Sequence, residues 1–352
     1  MHKSDSMSQD LSKTLSVCSL ICTILVISIH FNTKQHINLT DGFTINYYLQ
    51  EFITNSLARV AVPFFAFNSG FFFFRRFSFT INCYKSLLNK RFSSLFLPFV
   101  FGASLILVAE LLYGRMIDFE SITTVETLVA IFVKPLSVQF WFVRDLVFLA
   151  LISPVIYFLL TKLNWILVLV CMTCWLLDFE PAPLWAGRSL ITIEVGAFFV
   201  LGAYLYNKRI WLEKVITTTH LIPLILTSLL LAIWRIYDDP AMSNWYHNNY
   251  TLNSLLVQNC YIIVTIFCVL VVSNRLRHKQ HLIWLSQFTF FVYLYHLLPL
   301  SRVVVKFSDY FVYDPYKFYM TFPVATLFTF IVAIIFSKYS NKLYSILNGG
   351  RN

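Results

Sequence analysis

Ionisable side chains stand inside or at the ends of long apolar stretches: His30, Arg59, Arg144, Asp145, Glu194 and His296. A charge in hydrocarbon costs several kcal/mol, so such residues are paired, turned inward and tied to function. His30 closes the run SVCSLICTILVISIHF, about seventeen residues beyond Lys13, or roughly 26 Å along a helix. That spacing puts the imidazole near the outer edge of the bilayer. There it serves either as an interfacial hydrogen-bonding group or as a general base that takes a hydroxyl proton near neutral pH. Arg59 opens SLARVAVPFFAFNSGFFFFRR and recurs with Pro63, Ala66 and Ser69 at helical spacing, a small polar stripe suited to a helix interface or a cavity wall. Snorkelling is the alternative for an arginine so near a boundary.

Trp141, Arg144 and Asp145 begin VQFWFVRDLVFLALISPVIY. The tryptophan fits an interfacial belt. Neighbours on a helix point apart, so Arg144 and Asp145 are expected to seek separate partners. Asp145 shares a face with Trp141. It is expected to couple to Arg59 or to orient His30, with a structural ion-pair network as the competing role. Glu194 lies in LITIEVGAFFVLGAY, and Tyr293 with His296 form an i, i+3 pair in FTFFVYLYHLLPL. His296 reads as a packing residue or a group lining the site.

The elements that must position these groups are long apolar helices. The chain of 352 residues is 58% hydrophobic and 12% charged, with a mean hydropathy of +0.69. No soluble domain hides so much apolar surface. Ten blocks have the length of membrane-crossing helices: 13–32, 55–74, 92–112, 139–160, 163–178, 190–206, 217–236, 253–273, 283–303 and 320–337. Continuous rather than alternating hydrophobicity argues against a β-barrel. The fold expected is all-α, a polytopic membrane helix bundle in one domain over 1–352, with tails at about 1–12 and 338–352. The first block lacks a small-residue cleavage site and is expected to remain as a span.

Lys and Arg set the orientation. With the N-terminus cytoplasmic, seventeen basic residues fall in cytoplasmic segments and six in the opposite loops. Acids such as Asp41, Glu51, Asp178 and Asp238 fall outside. The net charge of +10 is therefore a topology signal, with some attraction to anionic lipid, and not a nucleic-acid footprint. The polar cluster is expected at the outer face. Cys171 and Cys174 have CxxC spacing on an apolar helix without nearby ligands, so packing is the expected role and no metal site is expected.

Four segments in order resemble acyltransferase family 3, bacterial membrane enzymes that acylate glycans. ISIHF is similar to the histidine that ends that family's first span. ARVAVPFFAFNSGFFFF is similar to its arginine, proline, phenylalanine and serine-glycine pattern. FWFVRDLVFLALISPVIY resembles the tryptophan-phenylalanine-x-x-arginine-aspartate segment of one subgroup, and FVYLYHLLPL the late tyrosine-x-x-histidine motif. One position departs: Ser19 stands eleven residues before His30, where the family commonly has arginine.

The resemblance implies O-acyl transfer, most often of acetyl, to a hydroxyl of a cell-surface polysaccharide or lipid-linked sugar. It implies acyl-coenzyme A as donor, no bound cofactor, and a multi-pass protein of the bacterial inner (plasma) membrane with both termini cytoplasmic. His30, Asp145 and Arg59 would be catalytic, with Ser69, Trp141, Arg144, Glu194, Tyr293 and His296 binding substrate or lining the site. A transporter or flippase of a lipid-linked sugar or other amphipathic anion also fits intramembrane charges. No internal repeat or matched pair of broken helices supports that alternative. A membrane scaffold would leave the shared depth of the charges unexplained.

Overall fold

A computed structural model describes residues 7–33, 44–75, 77–113, 138–179, 190–240, 251–297, 300–308, 310–311 and 314–351. Every regular element among them is helical. In chain order these are α1 (Gln9–Ile29), α2 (Ile45–Phe73), α3 (Ile81–Arg91), α4 (Leu97–Tyr113), α5 (Trp141–Leu151), α6 (Ser153–Leu163), α7 (Trp165–Leu176) and α8 (Ile193–Tyr206). They continue as α9 (Arg209–Thr218), α10 (Leu221–Asp238), α11 (Leu252–Leu276), α12 (Gln280–Ser286), α13 (Thr289–Tyr295), α14 (Leu300–Ser308), α15 (Lys317–Tyr339) and α16 (Asn341–Leu347).

Five of these helices (α1, α2, α10, α11 and α15) are long and apolar enough to cross a membrane, and α5 with α6 makes a sixth if that bent pair counts as one span. Blocks 139–160 and 283–303 are not straight helices. The first bends by 69° between α5 and α6. Pro154 has no N–H to give the Ala150 carbonyl, and the Ser153 hydroxyl donates to that carbonyl instead, at 2.8 Å. The second breaks after Ser286 and again after Tyr295. The helix expected to start near residue 55 begins at Ile45. Glu51, expected in an outer loop, is therefore helical and fully buried.

α1 packs against α2, α11, α12 and α13 and so forms the centre of the bundle. At its N-terminal end the Ser8 hydroxyl donates to Glu213 at 2.6 Å, and Arg277 pairs with Asp10 at 3.2 Å. The start of α1, the end of α11 and α9 thus share one end of the bundle, here called the basic end. His30 lies at the other.

α2 and α8 make the most extensive helix contact, and two glycines allow it. A Cβ on Gly70 would run into the Phe199 carbonyl, and one on Gly202 into the Phe67 carbonyl. The obstacles are backbone, which does not yield as a side chain does. Gly70→Ala and Gly202→Ala are each expected to destabilise by about 1–3 kcal/mol, the usual cost of overpacking. Thermal unfolding of the detergent-solubilised protein checks this. Gly196→Ala, where the added carbon would meet only the Ile191 side chain at 3.7 Å, should unfold like the parent. Equal melting of all three variants would show that the crossing is not this tight.

Candidate functional site

The packing of α13 on α1 brings the two histidines together. Each sits just past the last residue of its helix: His30 caps α1, and His296 caps α13. Their ring centroids are 5.1 Å apart, with the planes tilted by 42°. His296 is fully buried. Its Nδ1 lies 2.7 Å from the Tyr293 carbonyl oxygen. A carbonyl only accepts, so Nδ1 carries the proton, and in the neutral ring Nε2 bears the lone pair. That Nε2 is buried and has no hydrogen-bond partner. Tyr293 holds the neighbourhood in place, its hydroxyl donating to the Gln139 carbonyl at 2.8 Å and its ring lying against Phe65 and Phe142.

Arg59 occupies a tight turn, Leu57–Val60, that follows a wide one, Phe52–Ser56, within α2. Pro63 explains the irregularity, since it gives no N–H to the Arg59 carbonyl four residues back and its ring crowds that carbonyl. Irregular turns of this kind recur at functional sites. The guanidinium Nη2 donates to Asn55 Oδ1 at 3.0 Å, and Asn55 Nδ2 donates to Glu51 Oε2 at 2.9 Å. Glu51 in turn pairs with Arg235 at 2.9 Å, whose Nε reaches the Ser56 hydroxyl at 3.0 Å. Glu51, Asn55 and Arg59 recur every fourth residue on one face of α2, so a line of buried polar groups runs from Arg235 to Arg59. The charge of Arg59 is felt by both His30 and Glu194.

Beside Arg59 lies a cavity of about 320 Å³, lined among others by Trp141, Trp175, Asp178, Glu194 and Gln258. The Trp175 indole and the Glu194 carboxyl group line this cavity together. Asp178 follows the end of α7 in the left-handed conformation, φ 50°, a backbone shape that aspartate tolerates better than most residues.

The structure departs from three expectations. Arg144 and Asp145 do bridge each other: Nη2 and Nε stand 2.7 and 3.0 Å from Oδ1. The long arginine side chain folds back around the helix to meet its neighbour. Asp145 is not the partner of Arg59 or His30, because its second oxygen accepts from the Thr192 backbone N–H and hydroxyl, both at 2.9 Å. Thr192 is the N-cap of α8. Asp145 therefore fixes the start of the helix that carries Glu194 two residues later. Ser69 is also elsewhere. It lies ten residues beyond Arg59 on α2, roughly 15 Å along, and lines a separate cavity near the basic end. Ser19 accepts from Asn68 at 3.3 Å, beside that second cavity.

Glu51, Arg235, Trp175, Asp178, Thr192 and Gln258 were not anticipated as site residues. Arg235 had a signal in the sequence, an ionisable residue inside the apolar block 217–236. Glu51 had one in its four-residue spacing to Asn55 and Arg59. Among the described residues, no group of three His, Cys, Asp or Glu stands where it could hold a metal ion.

Long apolar helices that bury histidines, ion pairs and a polar cavity define an integral membrane protein with an internal polar site. The model of the acyltransferase domain of acyltransferase family 3 matches residues 19–338, and the chain belongs to that family. It is a membrane acyltransferase. No curated protein matches the chain, and no solved structure does.

Proposed function

We propose that residues 1–352 work as one membrane-embedded O-acyltransferase. It transfers an acyl group, acetyl in the simplest case, from acyl-coenzyme A to a hydroxyl of a cell-surface polysaccharide or lipid-linked sugar. The observation that carries this reading is the His30–His296 pair beside the Arg59 cavity, within an acyltransferase chain. The preceding residue, Ile29, lines that cavity, and His30 is less buried than His296. His30 is accordingly the group that meets substrate.

In the proposed reaction His30 takes the proton of the sugar hydroxyl as the oxygen attacks the acyl carbonyl carbon. The developing oxyanion is stabilised by the guanidinium of Arg59, held in position by Asn55. The carbon–sulfur bond then breaks, and the departing thiolate receives the proton from the imidazolium. His296 presents its unprotonated Nε2 next to the working ring as a second acceptor. Glu194 faces the cavity with Trp141 and Trp175, a carboxyl group between aromatic walls suited to a sugar ring. Arg144 and Asp145 act as positioning residues through Thr192.

The seventeen-to-six distribution of basic residues supports ten spans, both termini cytoplasmic and an inner-membrane setting. It also supports contact with anionic lipid and no role in nucleic-acid binding. Mass spectrometry of surface glycans from cells with and without the intact protein tests the activity. An acyl increment on a sugar hydroxyl is expected only with the protein present. Identical glycans, with a lipid-linked sugar held back on the cytoplasmic leaflet of cells lacking it, would favour transport instead. Labelling of single cysteines tests the orientation, and one placed at 207–215 should be shielded from an external reagent.

A further inference from the structure

The second cavity, about 200 Å³, is walled by Phe72, Phe73, Leu95, Leu146 and Phe199 and carries Asn68, Ser69, Arg91 and Arg351. The chain reaches it by an unusual route. After α16, Gly349 and Gly350 both take positive φ, 64° and 67°. A side chain at Gly349 would strike the Ser94 backbone. The Gly350 N–H donates to the Ser345 carbonyl at 2.7 Å, and Asn348 holds the Arg351 carbonyl. This curl lays the Arg351 guanidinium on the Phe290 ring, 3.4 Å from its centroid, while Arg91 lies 4.7 Å from the centroid of Phe73.

Two guanidinium groups thus enter one small cavity, and no carboxylate among the described residues pairs with either. Arg351 Nη1 and Asn68 Oδ1 are buried with no hydrogen-bond partner. Burial, then the neighbouring Arg91, pushes Arg351 down to about 9. Burial lowers Arg91 as well. Like charges brought together out of water call for an anion between them. The planar forks of two arginines suit the several oxygens of a phosphate group, and the ring walls suit the organic part attached to it.

We propose that Arg91 and Arg351 form a phosphate-ester site near the basic end of the bundle, half of it supplied by the chain's C-terminal curl. A soluble organic phosphate and an anionic phospholipid headgroup share this chemistry, and the test separates them. The full chain is purified in a neutral maltoside detergent and titrated with inorganic pyrophosphate, following heat of binding and thermal unfolding. In parallel it is placed in nanodiscs of phosphatidylcholine with or without phosphatidylglycerol.

Pyrophosphate is expected to bind and raise the unfolding temperature, as any ligand selective for the folded state does. Arg351→Gln and Arg91→Gln should each weaken binding by about ten- to a hundred-fold, the usual effect of losing a charge-assisted contact. Arg351→Lys should fall between parent and Gln, because it keeps the charge without the fork. Stabilisation by phosphatidylglycerol alone, lost in Arg351→Gln, would support the site and assign it to a headgroup. Absence of binding in both arms, or binding undiminished in a well-folded Arg351→Gln protein, overturns the proposal. If neither Gln variant folds, the titration of the parent protein decides by itself.

Discussion

His30→Ala protein is expected to insert in normal amounts and to lose acyl transfer by about 10²–10⁴-fold, the range a general base contributes. The imidazole sits past the end of α1, so its loss removes no helix hydrogen bond, and Ile29 keeps its place on the cavity wall. His296 calls for a subtler substitution. Asparagine retains an N–H able to reach the Tyr293 carbonyl and lacks the free ring nitrogen. His296→Asn should therefore hold its fold better than His296→Ala. If the bare Nε2 matters to the chemistry, it should still transfer slowly. Transfer of a labelled acyl group to surface glycan, normalised to membrane abundance, reads both. Near-parental transfer by a normally abundant His30→Ala protein would overturn the proposed mechanism. Near-parental transfer by His296→Asn would reduce that residue to packing.

Arg235→Leu should be the most damaging change to the scaffold. It leaves the fully buried Glu51 carboxylate without its cation, and breaking a buried pair on one side costs about 3–5 kcal/mol. Removing both charges, as Glu51→Met with Arg235→Met, should restore much of the unfolding temperature, because neither group is then stranded. Activity should not return in proportion. Asn55 would lose the carboxylate that holds it, and Arg59 depends on Asn55. A double variant recovering stability and transfer together would argue that the line from Arg235 to Arg59 carries no functional information. An Arg235→Leu protein melting with the parent would show that the ion pair contributes little.

The helical, membrane-embedded character was legible because block length and continuous hydrophobicity depend on composition alone. The convergence of Arg59, Trp141 and Glu194 on one cavity followed from their shared depth, which the rise per residue converts into position. Partner choice was less legible. Adjacent helical residues diverge at Cβ, yet an arginine is long enough to return, so Arg144 met Asp145 against expectation. The cap that Asp145 gives to α8 joins groups 47 residues apart in the chain, and no local pattern encodes it. Glu51 was hidden for a different reason. Its surroundings, INYYLQEF, are too polar to read as a span, although the helix begins there. The break at Ile152 escaped a hydropathy reading because hydropathy does not register the N–H that Pro154 lacks.

The separation between Arg59 and Ser69 on α2 bears on permeability. The two cavities open on the same helix, with roughly 15 Å of chain between their marker residues. The hydrocarbon layer of a bilayer is about twice as thick. Phe64 and Phe67 are buried in the stretch of α2 between Arg59 and Ser69, which the α2–α8 glycine contact clamps. Under the proposed function, an acyl group delivered to the Ser69 cavity would have about half a bilayer of protein to pass to reach Arg59, and the close α2–α8 packing would bar ions from that path.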